Sequence, residues 1–335
     1  MKAAQIKKYS KDINIEIVDI PIPEIADSEV LVKVKTAAVN PLDYLNITGS
    51  VKLIQDYKKP FTLGNELTGI VEKVGKKVKM FKKGDKVYSR LPLDKIGAFA
   101  EYVAVNQNAI WFLPKNLDFI TGSAVPLTGL TAYQGLTDVL NVRRGQSVFI
   151  AGGSGSFGQM AVPIAKYFGL YVIVSGNETS KDRMMQAGVD QYLDYRKENY
   201  WEVLDKVDFV IDTIGEKEID HELSIIKPGG KLLSLIAGPN KQFAVNQKLP
   251  LWKQWLFGIV GTKLDKKAKK YDVEYHFIFV RSDGKQLQKI TEIVENENII
   301  PKIDSHKFNL NQVNEAIAFV KNGHPNGKVI ISFDH

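Results

Sequence analysis

The chain contains no cysteine. Disulfides, thiolate nucleophiles and cysteine metal ligands are excluded together. Histidine is scarce as well: His221, His276, His306, His324 and His335 are scattered over 335 residues with no ligand spacing, so no metal site is expected. Long apolar runs are also missing. The longest, 249–261, is broken by Lys253 and Gln254 and falls short of the roughly 20 residues that span a bilayer. No apolar segment follows the lysines of the opening MKAAQIKKYS. No secretory signal is read, no membrane partner is expected, and a cytoplasmic location is the default.

Charge is present in excess of one sign, with a formal net charge of +7. The lysines are spread along the chain, and clusters such as Lys266-Lys267-Ala268-Lys269-Lys270 read as solvated helix faces. Without aromatic interleaving or an RNA-binding motif, nucleic acid is not the expected partner. The positive balance suits a surface that helps to hold an anionic cofactor.

The most informative stretch is Val148-Phe149-Ile150-Ala151-Gly152-Gly153-Ser154-Gly155-Ser156-Phe157-Gly158. An apolar run enters a glycine-rich turn, and a helical pattern follows from Gln159 to Phe168. Gly169 closes that helix, and Tyr171-Val172-Ile173-Val174 gives a second buried strand. Gly153, Gly155 and Gly158 stand at GxGxxG spacing. The first is expected to make a tight turn, the second to let backbone approach a pyrophosphate, and the third to pack helix on strand. The helix N-terminus, at Ser156 and Phe157, would offer free N–H groups and partial positive charge to phosphates. Pro163 falls inside the helix, and a kinked helix is expected there.

Two domains are expected. Up to residue 124 the chain is β-rich, with short runs at 2–6, 13–18, 30–34, 69–74, 86–89 and 100–105 separated by Gly and Pro signals, the pattern of a small barrel or sandwich. From residue 125 to 271 helices and strands alternate, the pattern of a parallel sheet covered on both faces. It includes a helix over 181–186, strands over 191–193, 207–211 and 231–236, and a turn at Lys227-Pro228-Gly229-Gly230. A strand at 276–280, two helices and a last strand at 328–333 are expected to return to the first domain, which then comprises 1–124 and 272–335.

A β-rich domain ahead of a glycine turn near residue 150 resembles the medium-chain dehydrogenase/reductase superfamily. Asn40-Pro41-Leu42-Asp43, Gly64-Asn65-Glu66, Gly84-Asp85-Lys86-Val87, 97–103, 126–133, Asp194-Tyr195 and Gly327-Lys328-Val329-Ile330 carry the likeness over essentially the whole length. The resemblance implies a fold of the α/β class, a chaperonin-10-like β-barrel plus a Rossmann doubly wound parallel sheet. At the zinc positions of the family's alcohol dehydrogenases stand Asn40, Asn65 and Leu127, and the four-cysteine lobe is missing. That narrows the resemblance to the zinc-independent quinone oxidoreductase and enone reductase branch. Such an enzyme transfers hydride to quinones or to the β-carbon of α,β-unsaturated carbonyls. A nucleotide-binding protein with little turnover, perhaps with RNA, is the alternative of a different class.

The cofactor implied is NADPH. At the second strand's end, where an NAD enzyme presents Asp or Glu to the ribose, the sequence reads Val174-Ser175-Gly176-Asn177. Ser175 and Asn177 leave room for a 2'-phosphate, Lys181 and Arg183 offer charge, and Tyr195 matches a family tyrosine near that phosphate. Glu178 is the feature that favours NADH. The resemblance also places Thr131, Phe279 and Val280 near the nicotinamide. For catalysis it places Asn40 beside the substrate, where its amide could donate to the substrate oxygen; capping the helix begun by Pro41 is the competing role. Tyr44 is a candidate proton donor or a packing aromatic. Asp43 and Glu66 are expected to hold backbone and loops. Trp252, Trp255 and Phe257 could cover an apolar substrate or lie in a core or dimer-contact helix. The outer edge of the strand near Phe279 suggests a homodimer.

Overall fold

The computed structural model describes residues 1–333 and divides into two compact units, 1–130 with 281–335 and 131–280. Of the histidines, His335 lies outside the described residues.

In the second unit six strands form one parallel sheet. Their order across the sheet is Gln191–Asp194, Tyr171–Gly176, Ser147–Ala151, Val207–Asp212, Ile226–Ser234 and Glu274–Phe277. Numbered along the chain within this unit, that order is 3-2-1-4-5-6, the doubly wound Rossmann arrangement, in which the crossover direction reverses beside the first strand. Val148, Phe149 and Ile150 lie in a central strand and are fully buried, as side chains are in a parallel sheet covered on both faces. The expected turn at 227–230 lies inside the strand Ile226–Ser234 as a bulge. Pairing with Val207–Asp212 jumps from Val207↔Ile226 to Phe209↔Lys231, and Gly229 takes φ +78° to make the extra residues fit. The last strand ends at Phe277, so Phe279 and Val280 lie past it, both buried. The helix Ser156–Tyr167 runs unbroken through Pro163.

The first unit is β-rich and antiparallel except where Phe308–Asn309 pairs in parallel with Val329–Ser332. One sheet runs through Phe308–Asn309, Val329–Ser332, Glu29–Val39, Glu66–Val74, Lys86–Arg90 and Ile110–Phe112, with Tyr102–Asn106 also paired to Glu29–Val39. A smaller sheet joins Glu16–Asp19, Lys2–Ile6 and Phe61–Thr62. Its core gathers Val30, Val32, Val34, Leu67, Val71, Val87 and Ile110 from the alternating positions of these strands. The strand Val329–Ser332, far along the chain, pairs with Glu29–Val39 at Val329↔Val39. Among the described residues no helix is long and apolar enough to cross a membrane.

Candidate functional site

The glycine loop of the second unit leaves the strand Ser147–Ala151 and enters the helix Ser156–Tyr167. Its left-handed residue is Gly152, at φ +65°, one place before the glycine expected to turn. Gly153 then donates to Ile150 O at 3.2 Å to close the turn. Gly158 is the tightest position: a Cβ there would stand 1.6 Å from the carbonyl oxygen of Gly153, so only glycine lets the helix sit on the loop. A Cβ on Gly155, the residue before the helix, would meet nothing within 4 Å. The loop is therefore open on the side that Gly155 faces. A first helical turn has no intrahelical acceptors for its N–H groups, and among the described residues no backbone acceptor is found for those of Ser156, Phe157 and Gly158. This is a cradle for an anion.

The second strand's end closes the cradle from one side. Ser175, buried, accepts the N–H of Gly152 on its hydroxyl at 3.0 Å, so it braces the loop. Arg183 donates from Nη2 to Ser154 O at 2.9 Å and to Ser180 Oγ at 3.2 Å, and burial lowers the pKa of its guanidinium. Asn177 is fixed twice: its carbonyl accepts from Tyr192 and its side chain from Thr179, each at 2.7 Å. Lys181 is exposed, as is Tyr195, whose ring lies 5.6 Å from the guanidinium of Arg196. Glu178 is ion-paired with Lys197 at the surface, with both side chains more than half exposed. Thr131 is buried at the start of this unit.

The first unit carries a buried polar cluster. Asn40 precedes the helix Pro41–Thr48 in extended backbone. Its backbone N–H donates to Asp43 Oδ2 at 2.8 Å, and the two residues form the capping box that closes the helix start. The Asn40 amide itself donates to Glu66 Oε1 at 2.9 Å and Ala38 O at 3.2 Å, and its oxygen accepts from Lys328 Nζ at 2.6 Å. Lys328 also pairs with Glu66 at 2.8 Å, with both side chains almost wholly buried. The other oxygen of Glu66 accepts the N–H of Leu127 at 2.6 Å. Asn65 donates to Asp43 Oδ1 at 2.7 Å. Burial pushes the carboxyl of Asp43 up to about 7 against the opposing hydrogen bonds from Asn40 and Asn65, and the charge of Glu66 adds to the rise. Arg90, directly across the strand pair from Glu66, is fully buried, and burial pulls its pKa down to about 10. Asp43 and Glu66 thus hold backbone, as their positions suggested. Lys328 and Arg90 were missed as site residues. The one signal for Lys328 is a lysine at the head of an apolar strand, and none in the sequence marks Arg90.

The cluster does not bring Tyr44 in. Its hydroxyl donates to Lys11 O at 3.2 Å, and the ammonium of Lys321 lies 4.1 Å from its ring centre. At the zinc positions of the metal-dependent relatives, Asn40 has its amide engaged and Leu127 offers only backbone. Asn65 is committed to Asp43 through its nitrogen. Among the described residues no group of three His, Cys, Asp or Glu is placed to hold a metal, and this donor set does not fit zinc.

Residues 26–115 match the alcohol dehydrogenase GroES-like domain, and residues 187–331 match the zinc-binding dehydrogenase domain. The chain is 30% identical to 2-methylene-furan-3-one reductase of Solanum lycopersicum, over 93% of this chain and 74% of that one. It is 29% identical, with the same coverage, to a chloroplastic NADPH-dependent alkenal/one oxidoreductase of Arabidopsis thaliana. The solved quinone oxidoreductase of Coxiella burnetii superposes with a TM-score of 0.83 at 26% identity, covering 100% of this chain and 99% of that one. With a GroES-like domain, a 3-2-1-4-5-6 parallel sheet and relatives of this kind, the chain belongs to the medium-chain dehydrogenase/reductase family of oxidoreductases.

Proposed function

We propose that the protein is an NADPH-dependent oxidoreductase that reduces quinones or the β-carbon of α,β-unsaturated carbonyls, and that it does so without zinc. The observation that carries the reading is the pairing of an open anion cradle at Gly152–Gly158 with a second strand that ends in Ser175-Gly176-Asn177, where no carboxylate is left unpaired. The names of the relatives, an enone reductase and an alkenal/one oxidoreductase, support the same class of acceptor.

The residues divide the work. The N–H groups of Ser156, Phe157 and Gly158 would receive the pyrophosphate, with Gly153, Gly155 and Gly158 giving it room. Arg183 and Lys181 would meet a 2'-phosphate, with Ser175 and Asn177 shaping its seat and Tyr195 beside it. Thr131, Phe279 and Val280 would border the nicotinamide, which when bound supplies the reducing equivalent. Reduction of an isolated carbonyl needs a Lewis acid or strong donor for the alkoxide. A conjugated acceptor needs less, because charge moves to an enolate oxygen that hydrogen-bond donors stabilise. Asn40 would reach that oxygen only by exchanging its bond to Glu66 or to Ala38, and Tyr44 only by leaving Lys11. Solvent therefore completes the reaction by protonating the enolate. The strand Glu274–Phe277 is the last of the sheet, and pairing of that edge across a two-fold axis would make a homodimer.

The test is steady-state oxidation of NADPH and of NADH with a quinone and with an enone, on metal-stripped protein. Activity favouring NADPH is expected. In Lys181→Ala/Arg183→Ala that preference falls by about tenfold or more through KM, with kcat preserved, as for lost uniform binding. No turnover with any acceptor, while NADPH still binds, overturns the proposal.

A further inference from the structure

We propose that the long helix Leu251–Lys270 lays the nucleotide-binding unit on an anionic phospholipid surface. At about 100° per residue, its buried residues Phe257, Gly261, Leu264 and Ala268 share one side. The opposite side presents a single stripe: Trp252, Trp255 and Ile259 in the first half, then Lys263, Lys266 and Lys270. Trp252 is 59% exposed, Trp255 69% and Ile259 54%, with Leu251 and Val260 exposed beside them. Val245, from the helix Lys241–Asn246 packed against it, is exposed as well. Two tryptophans at this exposure are out of place on a surface that meets only water.

Charge identifies the occupant. Lys263 and Lys267 are ion-paired with Glu216 and Asp220. Lys266, Lys269 and Lys270 have no ion-pair partner among the described residues, and the one acid on the helix, Asp265, is engaged by Asn240 at 2.7 Å. The stripe therefore offers an apolar half with indole N–H groups and a half with net positive charge, where Lys266 and Lys270 have no ion-pair partner among the described residues. A headgroup boundary satisfies both: rings and aliphatics enter the acyl edge while ammonium groups meet phosphate. A second copy of the chain would set lysine against lysine or against tryptophan and would leave the charge unmet. The helix would lie on the bilayer surface, since among the described residues no helix is long and apolar enough to cross one.

The experiment is co-flotation of the full chain with phosphatidylcholine vesicles, with and without phosphatidylglycerol, at low and high salt, while tryptophan emission is recorded. Binding that requires phosphatidylglycerol, weakens with salt and shifts the emission to the blue is expected. Lys266→Glu/Lys270→Glu should weaken it about tenfold or more. Trp252→Ser/Trp255→Ser should abolish the blue shift and the binding. Both variants should keep NADPH binding, which shows that they are folded. Absence of flotation overturns the proposal, as does equal binding to neutral vesicles or binding unchanged in the tryptophan variant. Light scattering that shows a dimer dissociating in Trp252→Ser/Trp255→Ser overturns it too, in favour of a second copy.

Discussion

Asp43 gives the sharpest test of the buried cluster. Its carboxyl is fully buried and sits at about 7 in place of 3.8, because desolvation outweighs the bonds from Asn40 N–H and Asn65 Nδ2 and the attraction of Lys328, while Glu66 repels. A rise of that size makes the ionised form cost the fold about 4 kcal/mol. The sign follows from proton binding. Between about pH 4 and pH 7 the folded chain holds a proton that the unfolded chain has released, so stability falls as pH rises through this window. Below it both states are protonated. Above it both are ionised and the penalty is constant. Asp43→Asn cannot titrate, so it removes this slope, while placing an NH2 group where donors now point costs about 1–3 kcal/mol against the protonated native form at the acid end. Urea unfolding of both proteins from pH 4 to pH 8 isolates the residue, because other titrations cancel in the difference. The advantage of the native protein over Asp43→Asn should fall by about 4 kcal/mol across the series and reverse, so that the variant is the more stable protein at pH 8. A difference that stays flat from pH 5 to pH 8 would mean that Asp43 is ionised throughout, and the burial argument would be wrong.

The glycine loop makes two contrasting predictions. Gly158→Ala drives a methyl into the Gly153 carbonyl, 1.6 Å from an ideal Cβ, so NADPH affinity measured by calorimetry should fall about a hundredfold or more, with the loop displaced. Gly155→Ala meets nothing in the protein, so its melting temperature should be unchanged while affinity falls, because the methyl occupies the open face where phosphate approaches. Lys328→Met strands the carboxylate of Glu66 and the oxygen of Asn40 in the interior, a loss of about 3–5 kcal/mol in urea unfolding. Adding Glu66→Gln should recover part of it, and a loss under about 1 kcal/mol would refute a structural ion pair at this site.

How much of this was legible depended on the range of the interaction. The strands Lys2–Ile6 and Gln191–Asp194 and the helix Lys181–Gln186 could be read from a few neighbouring residues, because local periodicity and a following glycine fix them. The turn at 227–230 was misread for the same reason. Lys-Pro-Gly-Gly is turn chemistry, and only the neighbouring strand Val207–Asp212 turns it into a bulge by pairing on both sides of it. At the nucleotide loop the motif assigned the tight turn to Gly153, which closes it on Ile150 O, while the left-handed residue is Gly152. Two adjacent glycines can both turn, and the bond from Gly152 N–H to Ser175 Oγ, 23 residues away, helps hold the first in place.

The cluster around Asn40 lay furthest from what sequence could give. Its reading as a substrate donor or as a helix cap treated the amide as a free agent between two local uses. The amide is held by Glu66 and Lys328, and the bond to Lys328 joins residues 288 apart in the chain. That contact exists only because the strand Val329–Ser332 pairs with Glu29–Val39 and carries Lys328 to the side of the sheet where Glu66 is buried. A carboxylate with no exposure requires a cation or a proton. In this chain the cation arrives covalently attached, from the other end of the sequence. The residue before the helix is thereby bound into an ion pair, while with Asp43 it forms the capping box at the helix start, one of the two roles weighed for it.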